Sequence, residues 1–388
     1  MHRRQTLATT IDTQLAFSRA EYEQRLASLR RVMEEKGADI LIVDEKEHLV
    51  YLTGFGPSGT MYQACIVPIA ADPIMVLRRL DGPSFLESTW LDGHVMYGDS
   101  ENPVDVVAAT LTEHGWANSR IGFELDSNYL SVQRYQALTA ALPHATTIDF
   151  SNVLREQRLL KSPQEIEYLQ QAANIADEAM RQAVAAVGEG VSERAAAITA
   201  SRTFLELGGD SGHVGPIASG SRTDSLHGAL RDHPLAKGEI LHLELCPQVR
   251  GYSARLMRPT IVGEPPAEQA ETARLLIEIQ DKQLAAMRPG IAAHEVDRIA
   301  RSGVLSAGLR ESYDNSSGYT LGFYGSPYPP RTSDFTRIFV PTAEWILEPG
   351  MIFHMYVAAK GMAFSETVLV TDDGHKRLTG IERRLFTC

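Results

Sequence analysis

Apolar positions in the first part of the chain follow two periods. Tyr22, Leu26, Leu29 and Met33 recur at helical spacing, behind Ser18 with Glu21 three places on and ahead of Gly37. That combination predicts a capped helix stopped by a glycine. The unbroken apolar run at 40–43 reads as a buried strand, and 64–69 and 73–77 read as two more. Residues 103–115 and 132–142 predict helices, with a strand at 120–124 between them. Alternating strands and helices predict an α/β layer. Residues 1–17 are polar, without periodicity, and predict a flexible arm.

A second pattern follows an unpatterned stretch at 150–162, which predicts a hinge between a domain at 18–158 and one at 159–388. Ser162, Pro163 and Glu165 supply a cap, a proline at the first helical position and a capping-box glutamate. This helix is predicted to run to Val187, where Gly188 ends it; another opens at Ser192 and ends at Gly208 and Gly209. Strands at 239–246 and 251–262, a long helix after Pro265 and Pro266, another from 293 and a strand-rich end at 350–371 predict an α+β domain.

Composition narrows the function classes. The chain has 388 residues, with 37 Lys and Arg against 49 Asp and Glu, a formal charge of −12. That balance argues against nucleic acid and against an anionic membrane surface as partners. Cys65, Cys246 and Cys388 form neither a disulfide framework nor a zinc-ligand spacing. The start carries arginines but no apolar segment of the secretory kind, and no apolar run reaches membrane-spanning length. A cytoplasmic protein is the expectation.

Five segments of the second domain carry chemistry: 217–227, 238–244, 251–255, 318–322, and 348–354 with 365–370. No phosphate-binding glycine loop or GxSxG elbow is present. The order and spacing of the segments, together with Tyr51–Phe55 in the first domain, resemble the pita-bread superfamily of aminopeptidase P, prolidase and creatinase. The resemblance covers nearly the whole chain. It implies an α/β N-terminal domain of the creatinase type and an α+β pita-bread catalytic domain. It also implies a homodimer in which the 55–63 loop of one chain lies near the site of the other.

Metal-dependent members hold two ions with two aspartates, a histidine and two glutamates. Carried over by position, these fall on Glu244, Arg255, Tyr319, Tyr356 and Ser365. Only Glu244 keeps a ligand-type group, and an arginine has no lone pair to give. The resemblance therefore implies a metal-ligand-depleted branch with no catalytic metal and no cofactor. Ectoine hydrolase resembles the chain more closely than creatinase does, through 243–245, Gly318 and Tyr319 with the downstream 328–330, Phe353 and His354, and Ser365 and Glu366. Met257 stands where creatinase carries a catalytic glutamate, and the 56–60 loop differs from both enzymes.

The candidates follow. His227 matches the acid/base histidine of the superfamily, and a histidine can move protons near neutral pH. Glu244 lies in an apolar strand, where a carboxylate needs a partner. It either pairs with Arg255 or serves as base or nucleophile, and Glu366 carries the same alternatives. Arg255 either holds Glu244 or grips a substrate carboxylate. Phe55, Arg222, Arg331, Tyr319, His354 and Tyr356 are further candidates for substrate contact. The leading expectation is a metal-independent hydrolase of a C–N bond in a small zwitterionic compound such as ectoine. A metal-dependent Xaa-Pro dipeptidase or aminopeptidase, and a non-catalytic binding protein of the same fold, stand as alternatives.

Overall fold

The structure, a computed structural model, describes residues 13–59, 61–324, 331, 334 and 336–388, with only the backbone of 224 and 225. Most of the expected N-terminal arm, Thr60 of the 55–63 loop and residues 328–330 lie outside the described residues. The chain forms two compact units, divided between Gln157 and Arg158.

In the first unit the elements are α1 (Arg19–Lys36), β1 (Ile40–Val43), α2 (Lys46–Thr53), β2 (Ala64–Pro68), β3 (Ile74–Arg78), α3 (Gly82–Ser88), β4 (His94–Tyr97), α4 (Pro103–Glu113), β5 (Arg120–Phe123), α5 (Val132–Ala141), β6 (Thr146–Asp149) and α6 (Val153–Gln157). Among the described residues the strands make one sheet in the order β4-β3-β2-β1-β5-β6. The unbroken apolar run of β1 has a simple cause: both faces are covered. Leu41 and Val43 join Leu26, Leu29 and Met33 of α1 in one core, while Ile40 and Ile42 join Val107, Leu111 and Leu138 of α4 and α5 in the other. Ser18 caps α1 as expected, its hydroxyl accepting from the Glu21 N–H. The Glu21 side chain bonds Arg25, at 2.7 Å.

Five elements of the first unit were not marked by the pattern: α2, α3, β4, β6 and α6. The Tyr51–Phe55 stretch begins in the last turn of α2 and leaves it through Gly54; residues 47–49 and 51–53 of the helix are all buried, so no amphipathic period shows. Within the expected hinge, α6 buries Leu154 in the α1-side core.

The second unit contains α7 (Pro163–Ala185), α8 (Arg194–Glu206), β7 (Ile217–Ser219), a 3₁₀ turn (Gly220–Ser225), β8 (Ile240–Leu245), β9 (Gln248–Val249), β10 (Tyr252–Ser253), β11 (Leu256–Ile261), α9 (Ala267–Ala285), α10 (Ala293–Ser306), β12 (Gly318–Thr320), β13 (Ile352–Ala359), β14 (Met362–Val370), β15 (His375–Arg377) and β16 (Phe386–Thr387). The full capping box at Ser162 and Glu165 forms as expected. Among the described residues, sheet β16-β11-β8-β7 and sheet β12-β13-β14-β15 have no shared ladder, although β11 and β14 lie side by side. Helices α9 and α10 cover one face of the second sheet. Phe353, Met355 and Val357 of β13 and Phe364 and Val368 of β14 point into that helix-backed core. Strand alternation therefore sends His354, Tyr356 and Ala358, and Ala363, Ser365 and Thr367, to the other face.

The first unit also buries acids. Asp44 and Glu124 sit at the carboxyl ends of the parallel pair β1 and β5. Glu124 Oε1 meets His48 Nδ1 at 2.5 Å, and Oε2 accepts from the Asp44 and Glu45 N–H groups at 3.3 and 3.4 Å. Burial, and then the neighbouring Glu124, push the Asp44 carboxyl up to about 8; burial likewise pushes Glu124 up to about 8. The unfolded values are near ~4. Both groups thus favour the fold fully below that pH, and the contribution is lost as pH rises through about 8. Thermal unfolding of the wild type is expected at lower temperature at pH 9 than at pH 6. Asp44→Asn should shrink that difference; an unchanged pH dependence in the variant would count against a buried neutral Asp44.

Candidate functional site

The site lies on the sheet face away from the α9 and α10 helices, and strand register assembles it. Tyr319 of β12 pairs with His354 of β13, which pairs with Thr367 of β14; Tyr356 pairs with Ser365. Gly318 permits the approach of β12, since a Cβ there would lie 2.5 Å from Met355 Sδ and 2.9 Å from the His354 carbonyl oxygen. Side chains close the seam between the sheets. Ser365 Oγ accepts from the Met257 N–H at 2.7 Å. Thr367 Oγ1 accepts from the Arg255 N–H and donates to the Arg255 carbonyl, both at 2.9 Å.

Arg255 occupies the centre. Its Nη1 donates to Glu244 Oε1 at 3.4 Å and to the Tyr319 hydroxyl, and its Nη2 to Asp334 Oδ2 at 3.2 Å. The Tyr324 hydroxyl donates to Asp334 from the other side. Burial works against the Arg255 charge, but the surrounding groups overcome it and hold the guanidinium well above its ordinary value. Glu244 is buried, and its Oε2 has no hydrogen-bond partner among the described residues. A polar atom left so is where a ligand or water is to be sought.

A cavity of about 860 Å³ opens beside Arg255, with Leu226 and His227 of the loop after the 3₁₀ turn, Met257, Tyr319, Tyr356 and Arg331 in its wall. Arg331 Nη1 stands 3.7 Å from Asp334 Oδ2, and its guanidinium lies over the Tyr324 ring at 5.0 Å. The Tyr356 hydroxyl accepts from Asn315 Nδ2 at 3.2 Å and shares a hydrogen bond with Ser316 Oγ at 3.1 Å. Burial raises both tyrosines above their ordinary values, so they face the cavity as neutral hydroxyls. The structure thus brings His227, Arg255, Tyr319, Tyr356 and Arg331 to one cavity, with Glu244 behind Arg255.

Four expectations require correction. Glu366 is not at the cavity. It projects from β14 on the side of Phe364 and Val368, opposite Ser365, and is 0% exposed. Its Oε1 accepts from Arg258 Nη2 at 2.7 Å, and Oε2 accepts from the Thr379 hydroxyl. His354 is completely buried under the Tyr356 ring, 5.3 Å between centroids and 26° between planes. Burial, and then the Arg255 charge, hold its imidazole well below the ordinary value, so the ring is neutral, with neither nitrogen hydrogen-bonded among the described residues. Arg222 is spoken for: Nη2 pairs with Glu193 Oε2 at 2.5 Å and Nη1 donates to the Ala229 carbonyl at 2.7 Å. Phe55 packs edge-to-face on Phe85 in the core of the first unit and is fully buried.

The donor set does not fit a dinuclear metal centre. Glu244 is the one carboxylate at the positions carried over, and the Arg255 cation lies between it and Asp334. Among the described residues no group of three or more His, Cys, Asp or Glu is arranged to hold a metal. Sequence reasoning missed Asp334, Tyr324, Arg310 and Asn315. All four lie in loops, where no periodicity marks a side chain's direction; for Asp334, Tyr324 and Asn315 the crowding of aromatic and charged residues in 313–334 was a signal, and Arg310 had none.

The comparisons cover both units. Residues 167–372 match metallopeptidase family M24, and residues 25–160 match the creatinase/prolidase N-terminal domain. An ectoine hydrolase of Halomonas elongata is 28% identical over 401 residues, 97% of this chain and 99% of that protein. A Xaa-Pro dipeptidase of Pyrococcus furiosus is 26% identical over 367 residues, 94% of this chain and 100% of its own. Among solved structures, a prolidase from Thermococcus sibiricus superposes with a TM-score of 0.83 at 24% identity, covering 95% of this chain and 99% of its own. A prolidase from Pyrococcus horikoshii gives 0.80 at 23% identity, covering 93% and 99%.

The placement of Glu366 yields a test. Removing one partner of a buried ion pair costs about 3–5 kcal/mol. Glu366→Ala should lower the unfolding free energy by that order in a denaturant titration. Wild-type stability combined with lost turnover would return Glu366 to the catalytic set.

Proposed function

The chain belongs to metallopeptidase family M24, with a creatinase/prolidase N-terminal domain ahead of a pita-bread domain, and from that premise we propose that it hydrolyses a non-peptide C–N bond in a small zwitterionic compound without a catalytic metal. Ectoine is the first candidate, supported by the similarity to the Halomonas enzyme along almost the whole of both chains.

The observation that carries this reading is the Arg255 cluster. The positive charge at the centre of the site belongs to the protein, paired with Glu244 at 3.4 Å and Asp334 at 3.2 Å. Such a charge repels a divalent cation and stabilises an oxyanion as it develops on the attacked carbon. Hydrolysis further needs a base for water and an acid for the leaving nitrogen. Glu244 is the base or the nucleophile: its contact with Arg255 is long for a hydrogen bond, and its Oε2 is unengaged among the described residues. His227, exposed at the cavity wall, donates the proton to the leaving nitrogen. Tyr319, which accepts from Arg255, and Tyr356, fixed by Asn315 and Ser316, orient the substrate with neutral hydroxyls. A homodimer and a cytoplasmic setting accompany this reading; no helix among the described residues is long and apolar enough to cross a membrane.

The test is a substrate panel of ectoine, hydroxyectoine, creatine and Xaa-Pro dipeptides, run with and without chelator on metal-analysed protein. Ectoine turnover unaffected by chelation is the expected result. Xaa-Pro cleavage that disappears with chelation, alongside near-stoichiometric metal, would overturn it. No turnover of any compound would favour a binding protein. His227→Ala should reduce kcat by about 10²–10⁴, the usual contribution of a positioned acid, and Glu244→Gln should abolish turnover with the thermal unfolding curve preserved.

A further inference from the structure

Charge around the cavity is lopsided for an acidic chain. Arg255, Arg310, Arg331 and Lys360 line it, against Asp334. Three of these cations already have carboxylates: Arg255 holds Glu244 and Asp334, Arg331 approaches Asp334, and Lys360 pairs with Glu268 at 2.8 Å.

Arg310 differs. It stands just beyond α10, and no carboxylate among the described residues pairs with it. It is nevertheless held in place. Its guanidinium lies over the Tyr313 ring at 4.5 Å, and Nη1 donates to Asn315 Oδ1 at 2.9 Å. Stacking and one hydrogen bond fix a planar fork while leaving further N–H groups for a ligand. Asn315 in turn donates to the Tyr356 hydroxyl at 3.2 Å, and Ser316 meets the same hydroxyl at 3.1 Å. One wall of the cavity is therefore a connected polar row ending in an oriented cation, and small apolar residues such as Ala358 and Ala359 also line the space.

We propose that Arg310, oriented by Tyr313 and Asn315, receives the carboxylate of the substrate. This rests on the reading of the cavity as the substrate site and specifies which end of the substrate is anchored there. A single uncommitted guanidinium matches one planar monoanion in a two-pronged contact. A phosphate dianion would bring a second charge with nothing to balance it. Arg255, by contrast, is committed to holding Glu244 and the developing oxyanion.

The experiment measures binding by calorimetry in the full chain carrying His227→Ala, so that turnover does not interfere. The probes are matched pairs, ectoine and its primary amide, and creatine and its primary amide, with inorganic phosphate alongside. The acid of at least one pair should bind more tightly than its amide. Adding Arg310→Gln should cost about ten- to a hundredfold for the acid, the usual range for a charge-assisted hydrogen bond, and leave the amide unchanged. Arg310→Lys should restore part of the preference, and Arg202→Gln, a surface arginine paired with Glu206, should change nothing. An acid-to-amide ratio unaltered by Arg310→Gln, no acid preference in either pair, or tighter binding of phosphate than of the acids would overturn the proposal. An Arg310-dependent acid preference in a wild type that hydrolyses none of the panel would leave this subsite standing while the hydrolase reading falls.

Discussion

Arg258 is the interaction on which the second unit depends. Among the described residues the two sheets have no shared ladder, so their junction at β11 and β14 is made by side chains. Arg258 is 0% exposed and spends all five guanidinium N–H groups there. Nε donates to the Glu382 carbonyl at 3.0 Å; Nη1 donates to the Met257 and Ser365 carbonyls at 2.9 and 2.8 Å. Nη2 donates to the Ile381 carbonyl at 3.0 Å and to Glu366 at 2.7 Å. A buried cation is tolerable only when paired and fully bonded, and here one side chain ties β11, β14 and the C-terminal segment together. Glu366 neutralises it. A carboxylate in the strand beside the site therefore serves the seam.

The same short stretch supplies the opposite face. Residues 255 and 258 differ by an odd number along extended chain, so the two arginines leave on opposite sides. Arg258 enters the covered side and Arg255 the cavity, where its backbone is clamped by Thr367 and its guanidinium by Glu244, Tyr319 and Asp334. The position of the central charge thus follows from the seam. Loosening Arg258 would shift β11 against β14 and move Arg255 relative to Tyr319 and Tyr356, which the second sheet carries.

Much of this was legible in the sequence because it depends on local pattern. Ser18 and Ser162 mark their helices, and the apolar run of β1 marks a strand covered on both faces. The segment ending in His227 and the Gly318-Tyr319 pair mark the cavity wall, and the segment ending in Glu244 marks the carboxylate behind Arg255. The errors also have physical reasons. Ser365 and Glu366 are neighbours on one strand, so only one can face the cavity; with Ser365 and Tyr356 paired, parity alone excludes Glu366. His354 satisfies that parity yet lies beneath Tyr356, because depth within a face depends on neighbouring side chains that no period reveals. Arg222 and Arg255 look alike as loop arginines, and only the fold brings Glu193 to the first and Asp334 to the second. Arg310 carried no pattern at all, since its role depends on Tyr313 and Asn315 folding back around it.

Under the proposed metal-free hydrolysis, an arginine in place of metal ligands changes which tasks the protein must perform itself. A metal both polarises the substrate and lowers the pKa of bound water. A guanidinium does only the first: it stabilises negative charge but has no lone pair to hold water and no proton to spare. In the proposed reaction the second task then falls to a separate carboxylate, within reach of Arg255 yet not so tightly bound that both its oxygens are occupied. Glu244 meets both conditions, with one oxygen at 3.4 Å from Arg255 and the other unengaged among the described residues. Asp334 shares the guanidinium, and Arg331 and the Tyr324 hydroxyl share Asp334 in turn. That sharing lets Arg255 stay charged in a buried site without closing permanently on Glu244. On this reading, the aspartate and tyrosine behind the arginine are as necessary to the chemistry as the groups that meet the substrate.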